Sequence, residues 1–209
     1  IGWLSLEIGS LRLAREAAEG NAWIAGLIGP PGYEVEGREN EVSAKDIRAA
    51  YSQQLEALLE GGIDVLFLES FAHLPTLHVL CALAKEMASD LPVVATVHVG
   101  ADSKTRLGAD VPTIGKSFDV MAADVVGITD GTSPALMNDV IDALRVYTSK
   151  PLALMPGAGL PVFHEDRLLN MATPEYFMEL IRKGIQRGAR LVGGSSGCHP
   201  EHIRAINSS

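Results

Sequence analysis

The sequence predicts an α/β protein built from successive βα units around a parallel sheet. From Trp23 onward, short apolar runs alternate with amphipathic stretches, and each run ends in a cluster of Gly, Pro or polar residues. Several of the runs are almost continuously apolar, as strands covered on both faces must be.

The first element is a helix over roughly Leu4 to Glu19. Strands are expected at Ala22 to Ile28, Asp64 to Leu68, Val93 to Val97, Asp124 to Ile128, Leu152 to Met155 and Arg190 to Val192. Helices between them are expected at Ala44 to Leu59, Leu74 to Met87, Ile114 to Ala122, Pro134 to Tyr147 and Pro174 to Arg187, several with Pro near the first turn or Gly just past the last. The polar stretch Gly32 to Asn40 is the one extended loop, a lid or a surface excursion. Six strands suit either a closed (β/α)8 barrel lacking two strands or an open doubly wound sheet, and pattern alone leaves both open.

The chain has 209 residues, 47% hydrophobic and 21% charged, enough for one sizeable core, and a single domain over residues 1–209 is expected. Its net charge of −9, with Lys and Arg scattered along the chain, argues against nucleic acid or an anionic membrane as partner. Small-molecule ligands are the better expectation. Cys81 and Cys198 are too few for a disulfide framework, which suggests a reducing, cytoplasmic setting. No apolar run reaches the roughly 18 residues of a spanning helix, and no N-terminal signal core is evident. The chain begins with Ile1 rather than Met, as an incomplete or processed sequence would.

Several ordered segments carry a resemblance. Ile24-Ala25-Gly26-Leu27-Ile28-Gly29-Pro30, Gly62 through Glu69-Ser70, Val126-Gly127-Ile128-Thr129-Asp130-Gly131-Thr132, Met155-Pro156-Gly157-Ala158-Gly159-Leu160-Pro161 and Gly193-Gly194-Ser195-Ser196-Gly197-Cys198-His199-Pro200-Glu201-His202-Ile203 together resemble the homocysteine S-methyltransferase family over essentially the whole chain. The resemblance implies a (β/α)8 TIM barrel, present here as about six βα units, with the first two strands missing or upstream of Ile1. An open barrel would expose two strand edges, so the expectation is a polypeptide longer at its N-terminus, or a partner filling the gap.

The resemblance also implies chemistry. In the family three cysteine thiolates hold a zinc ion that keeps the substrate thiol ionised. The matching positions here are Asp130, Ser195 and Ser196, and none is a cysteine. Neutral hydroxyls are poor zinc ligands, so the family zinc is not expected and no other cofactor is predicted. A displaced metal site of Asp130, Cys198 and His199 is a weaker reading, the plain alternative being a packed cysteine and a histidine beside the last helix.

Glu69 matches the family glutamate that holds the amino acid part of the substrate, a charge-assisted contact to an ammonium group. Ser70, His98 and Gly157 stand at the same strand ends, Gly157 where the family has asparagine, and His98 is a candidate base for a thiol. The expected function is methyl transfer to a thiol such as homocysteine, in methionine metabolism, with a small amino acid or thiol and a methyl donor as partners. The alternative is a non-catalytic or divergent barrel binding a small amino acid or a methylated sulfur or nitrogen compound. Lys104, Lys116, Lys150 and Lys183 do not stand at strand C-termini, which ranks Schiff-base chemistry last. A homo-oligomer is compatible with the sequence, which names neither the oligomeric state nor the methyl donor.

Overall fold

The computed structural model describes residues 2–32, 42–130, 134–159, 161–164, 167–170 and 172–207. Of the extended loop Gly32 to Asn40, residues 33–40 lie outside the described residues. The elements run α1 (Gly2–Ala18), β1 (Ala25–Ile28), α2 (Ala44–Glu60), β2 (Val65–Phe71), α3 (Leu74–Met87), β3 (Val93–His98), α4 (Val111–Val120), β4 (Val125–Asp130), α5 (Pro134–Leu144), β5 (Leu152–Pro156), β6 (Pro161–His164), β7 (Arg167–Asn170), α6 (Pro174–Gln186), β8 (Ala189–Val192) and α7 (Pro200–Asn207). Six strands form one sheet in the order β1-β2-β3-β4-β5-β8, and the expected α/β fold of successive βα units is the one observed.

The chain divides into two compact units. The first comprises residues 1–69, 73–95 and 121–124. Within it β1 and β2 pair in parallel, Ala25 opposite Val65 through Ile28 opposite Leu68. Helix α2 begins where Ser43 and Asp46 cap each other: the Ser43 hydroxyl accepts the Asp46 N–H at 3.2 Å, and the Asp46 carboxylate accepts the Ser43 N–H at 3.3 Å. Its residues Ile47, Tyr51, Leu55 and Leu58 recur every three or four positions and are all buried, the stripe an amphipathic helix turns to its core. Gly61 ends the helix beneath α1, where a Cβ would stand 2.3 Å from the Leu11 side chain. Asp64 fastens α1 as well, accepting from the Arg15 guanidinium at 2.7 Å and from the Ile24 N–H at 2.6 Å.

The second unit comprises residues 70–72, 96–120 and 125–209. Strand β4 pairs in parallel with β5, Val126 opposite Leu152 through Asp130 opposite Pro156, and β5 pairs in parallel with β8. Gly127 and Ala153 lie opposite each other so closely that a Cβ on Gly127 would stand 2.0 Å from the Ala153 carbonyl oxygen. Helix α4 is capped by Asp110, which accepts the Thr113 N–H at 3.0 Å, and α6 by Thr173, with Pro174 opening the helix. Ile114, Phe118, Ile141 and Phe177 are fully buried. Burying a side chain of this size contributes about 1.5–3 kcal/mol.

Two features differ from the sequence reading. Strand β2 runs on to Phe71, so Glu69 sits inside the strand rather than at its last position. Strands β6 and β7 form an antiparallel pair, Pro161 opposite Asn170 through His164 opposite Arg167, where no element was expected.

Candidate active site

The C-terminal ends of β4, β5 and β8 converge on one backbone group, the carbonyl of Pro156. On one side Asp130 lies opposite Pro156 in the β4–β5 register. On the other, the pairing continues past the end of β8: Gly193 donates its N–H to the Leu154 carbonyl at 3.2 Å, and Ser195 donates to the Pro156 carbonyl at 2.9 Å. The return bond follows two residues on, from the Ala158 N–H to the Ser196 carbonyl at 2.9 Å. Backbone pairing thus sets Asp130 on one side of β5 and Ser195 and Ser196 on the other, and Gly157 lies between the two bonds that fasten the serine loop.

A tight turn closes that loop. Cys198 donates its N–H to the Ser195 carbonyl at 3.1 Å, and Gly197 holds φ at +76°, a left-handed conformation that glycine adopts without steric cost. The Cys198 thiol donates to the Pro156 carbonyl at 3.6 Å and packs on Gly194, where a Cβ would come within 2.8 Å of the sulfur. Burial pushes the Cys198 thiol pKa up, and the Ser195 backbone hydrogen bond opposes that only in part. A thiol so placed is a packed residue and a poor nucleophile.

His202 fixes the helix that follows. Its Nδ1 accepts the His199 N–H at 3.0 Å, and its Nε2 lies 2.9 Å from the Ala172 carbonyl, which can only accept, so the ring proton sits on Nε2. The ring is buried and meets Phe177 edge to face at 5.3 Å. His199 is exposed.

A chain of hydroxyls ties Ser70 to the same end of the sheet. Ser70 donates its N–H to Thr96 Oγ1 at 3.2 Å, and its own hydroxyl lies 2.9 Å from Thr129 Oγ1. Thr129 donates to the Val97 carbonyl at 3.3 Å, which makes Ser70 the donor of the hydroxyl pair. Both threonines are fully buried. Ser70 has φ +65°, a conformation that costs a residue with a side chain about 1–2 kcal/mol, so these bonds hold the chain in a shape it would not take unaided. His98 ends β3 beside this network, Val99 donating its N–H to the Thr129 carbonyl at 3.1 Å, and its imidazole is partly exposed. Glu69 belongs to the first unit and is half-buried on the strand position preceding Ser70. His73, in the same unit, is engaged by the Thr76 hydroxyl 2.8 Å from its Nδ1.

Among the described residues, no group of three or more His, Cys, Asp or Glu side chains is placed to hold a metal ion. The sequence assigned no role to Thr96, nor to Thr129, Pro156 and His202, which stand in the segments that carry the resemblance. The threonines offered a signal, being polar residues in apolar strands, whereas the Pro156 carbonyl has no side-chain signature.

A parallel sheet of βα units with a polar cluster at the strand C-termini is the arrangement of a large class of α/β enzymes. The chain belongs to the homocysteine S-methyltransferase family, whose model matches residues 5–209. It is 30% identical over 213 residues to betaine–homocysteine S-methyltransferase 1 of Mus musculus, covering 93% of this chain and 50% of that protein. It is 28% identical over 165 residues to methionine synthase of Mycobacterium tuberculosis, covering 77% of this chain and 14% of that protein. The chain therefore spans half or less of the length of these relatives. In fold it is similar to the homocysteine methyltransferase MmuM of Escherichia coli, with a TM-score of 0.78 at 19% identity, over 99% of this chain and 73% of that one.

Proposed function

We propose that this chain transfers a methyl group to the sulfur of an amino acid thiol such as homocysteine, without the zinc–thiolate centre that the family resemblance implies. Family membership supports the reaction class. The observation that carries the rest is the donor set at Asp130, Ser195 and Ser196, the positions that the resemblance matches to the family's zinc ligands: they offer one carboxyl group and two neutral hydroxyls in place of three thiols. Such a set does not suit zinc, which takes thiolate, imidazole or carboxylate ligands.

The thiol must then be ionised by the protein. The substrate S–H proton passes to a base, the sulfur lone pair attacks the methyl carbon of the donor, an S–CH3 bond forms, and the bond between methyl and donor breaks with its electrons returning to the donor atom. His98 is the proposed base, since an imidazole accepts a proton near neutral pH. Glu69 is proposed to bind the substrate ammonium group. Ser70 sets the backbone that follows Glu69, and Gly157 stands between the two hydrogen bonds that fasten the serine loop.

The same donor set also favours a second reading, in which the site binds a small amino acid or a methylated sulfur or nitrogen compound without turnover. Incubation with L-homocysteine and each of betaine, S-methylmethionine and a methylated folate, with methionine read by mass spectrometry, separates the two. Methionine formation that Glu69→Ala reduces supports the methyltransferase. Calorimetric binding without methionine formation supports the second reading, and neither binding nor turnover removes both.

A further inference from the structure

We propose that the second unit carries an anion-binding pocket at the opposite end of β5 and β8 from the candidate active site, built to take a phosphate group of a small molecule. A cavity of about 370 Å³ opens where Leu152 begins β5 and Arg190 follows the start of β8. Arg145, Lys150 and Arg190 line it together with the hydroxyl residues Thr148 and Ser149, and among the described residues no carboxylate does. Three cations around one small cavity stand out in a protein whose net charge is −9. Along the sequence they look scattered, because the turn after α5 and the turn after α6 lie some forty residues apart.

The wall is preorganised. Gly188 has φ +112°, and a Cβ there would stand 2.7 Å from Arg145 Cδ and 2.9 Å from its Nε, so the bare glycine is what lets the guanidinium lie against the backbone. Arg145 spends one donor on the Arg187 carbonyl at 3.1 Å. Its other guanidinium N–H groups, and those of the Arg190 guanidinium, have no partner among the described residues. The neighbouring cations are already satisfied or distant: Arg187 pairs with Asp139 outside the cavity. Thr148 Oγ1 accepts the Lys150 N–H at 3.3 Å, which leaves its hydroxyl proton to donate. Asp119 accepts the Ser149 N–H at 3.2 Å and lines an adjoining depression that shares Arg145, Thr148 and Ser149 with the cavity. Planar guanidinium forks, an ammonium group and hydroxyl donors are the set that binds phosphate oxygens. A volume above about 300 Å³ also lies in the range of small-molecule sites.

The test is calorimetric titration of the full chain with pyrophosphate and with orthophosphate at low ionic strength. One saturable site is expected, weakening as salt is added. The Arg145→Gln/Arg190→Gln pair should weaken it about tenfold or more, and Lys183→Gln, a cation on the exposed face of α6, should leave it unchanged. Arg145→Lys keeps the charge and removes the fork, so a loss of roughly severalfold is expected there too. The pocket is overturned by absence of saturable binding, by a double variant of unchanged melting temperature that binds like the parent, or by Arg145→Lys binding like the parent, which would assign the affinity to net charge.

Discussion

The Ser70 hydroxyl donates to the Thr129 hydroxyl across 2.9 Å, and Thr129 in turn donates to the Val97 carbonyl. This relay joins the end of β2 to β4 and β3 one residue before Asp130 and one before His98. It also holds Ser70 at φ +65°, so the strain and the bonds that contain it sit in the same residue.

Replacing Ser70 separates those two effects. Ser70→Ala keeps the left-handed backbone and loses the hydroxyl bond, for a cost of about 1–2 kcal/mol. Ser70→Gly loses the same bond and relieves the backbone, so it should be the more stable of the two by about 1 kcal/mol. Urea unfolding of both variants checks the order, and an alanine variant as stable as the parent would remove the relay from the account.

Gly127 should tolerate no side chain. A Cβ would meet the Ala153 carbonyl at 2.0 Å, and backbone in a paired strand cannot step aside as a flexible side chain can. Gly127→Ala is expected to lose about 3 kcal/mol or more. Gly29→Ala, where a Cβ meets nothing within 4 Å, serves as the near-neutral control in the same melting experiment.

Asp64 gives the first unit a definite acid response. The Arg15 hydrogen bond, then the Ile24 N–H, hold its carboxyl pKa below the ordinary value. A depressed folded pKa contributes stability that is present above the unfolded value and is lost as pH falls through the folded one. Melting temperature should therefore fall between about pH 5 and about pH 3, with Asp64→Asn less stable than the parent at neutral pH and less sensitive over that interval. Equal acid sensitivity in the two proteins would show that Asp64 does not fasten α1.

Among the described residues, the six strands of the parallel sheet and six of the seven helices were legible in the sequence because their signals are local: apolar runs of strand length, capping residues such as Ser43 and Thr173, and Pro174 at a helix start. The β6–β7 pair was not, since Pro161–His164 and Arg167–Asn170 are four residues each, too short to show a period, and the first opens on proline. Of the site, the ends of β4 and β8 and the loop after them could be placed by motif. What fastens them could not, because the Pro156 carbonyl, the left-handed Ser70 and the ring proton of His202 are products of tertiary geometry. The cationic pocket was hidden for the same reason, its residues being brought together only by the fold.

The central proposal is a thiol methyltransferase that works without zinc. The most direct measurement is the rate of methionine formation from L-homocysteine by the full chain before and after exhaustive chelation, with the zinc content of each sample determined in parallel. The account predicts the same rate in both, no stoichiometric zinc in either, and no gain on adding zinc back. A rate abolished by chelation and restored by zinc would contradict it.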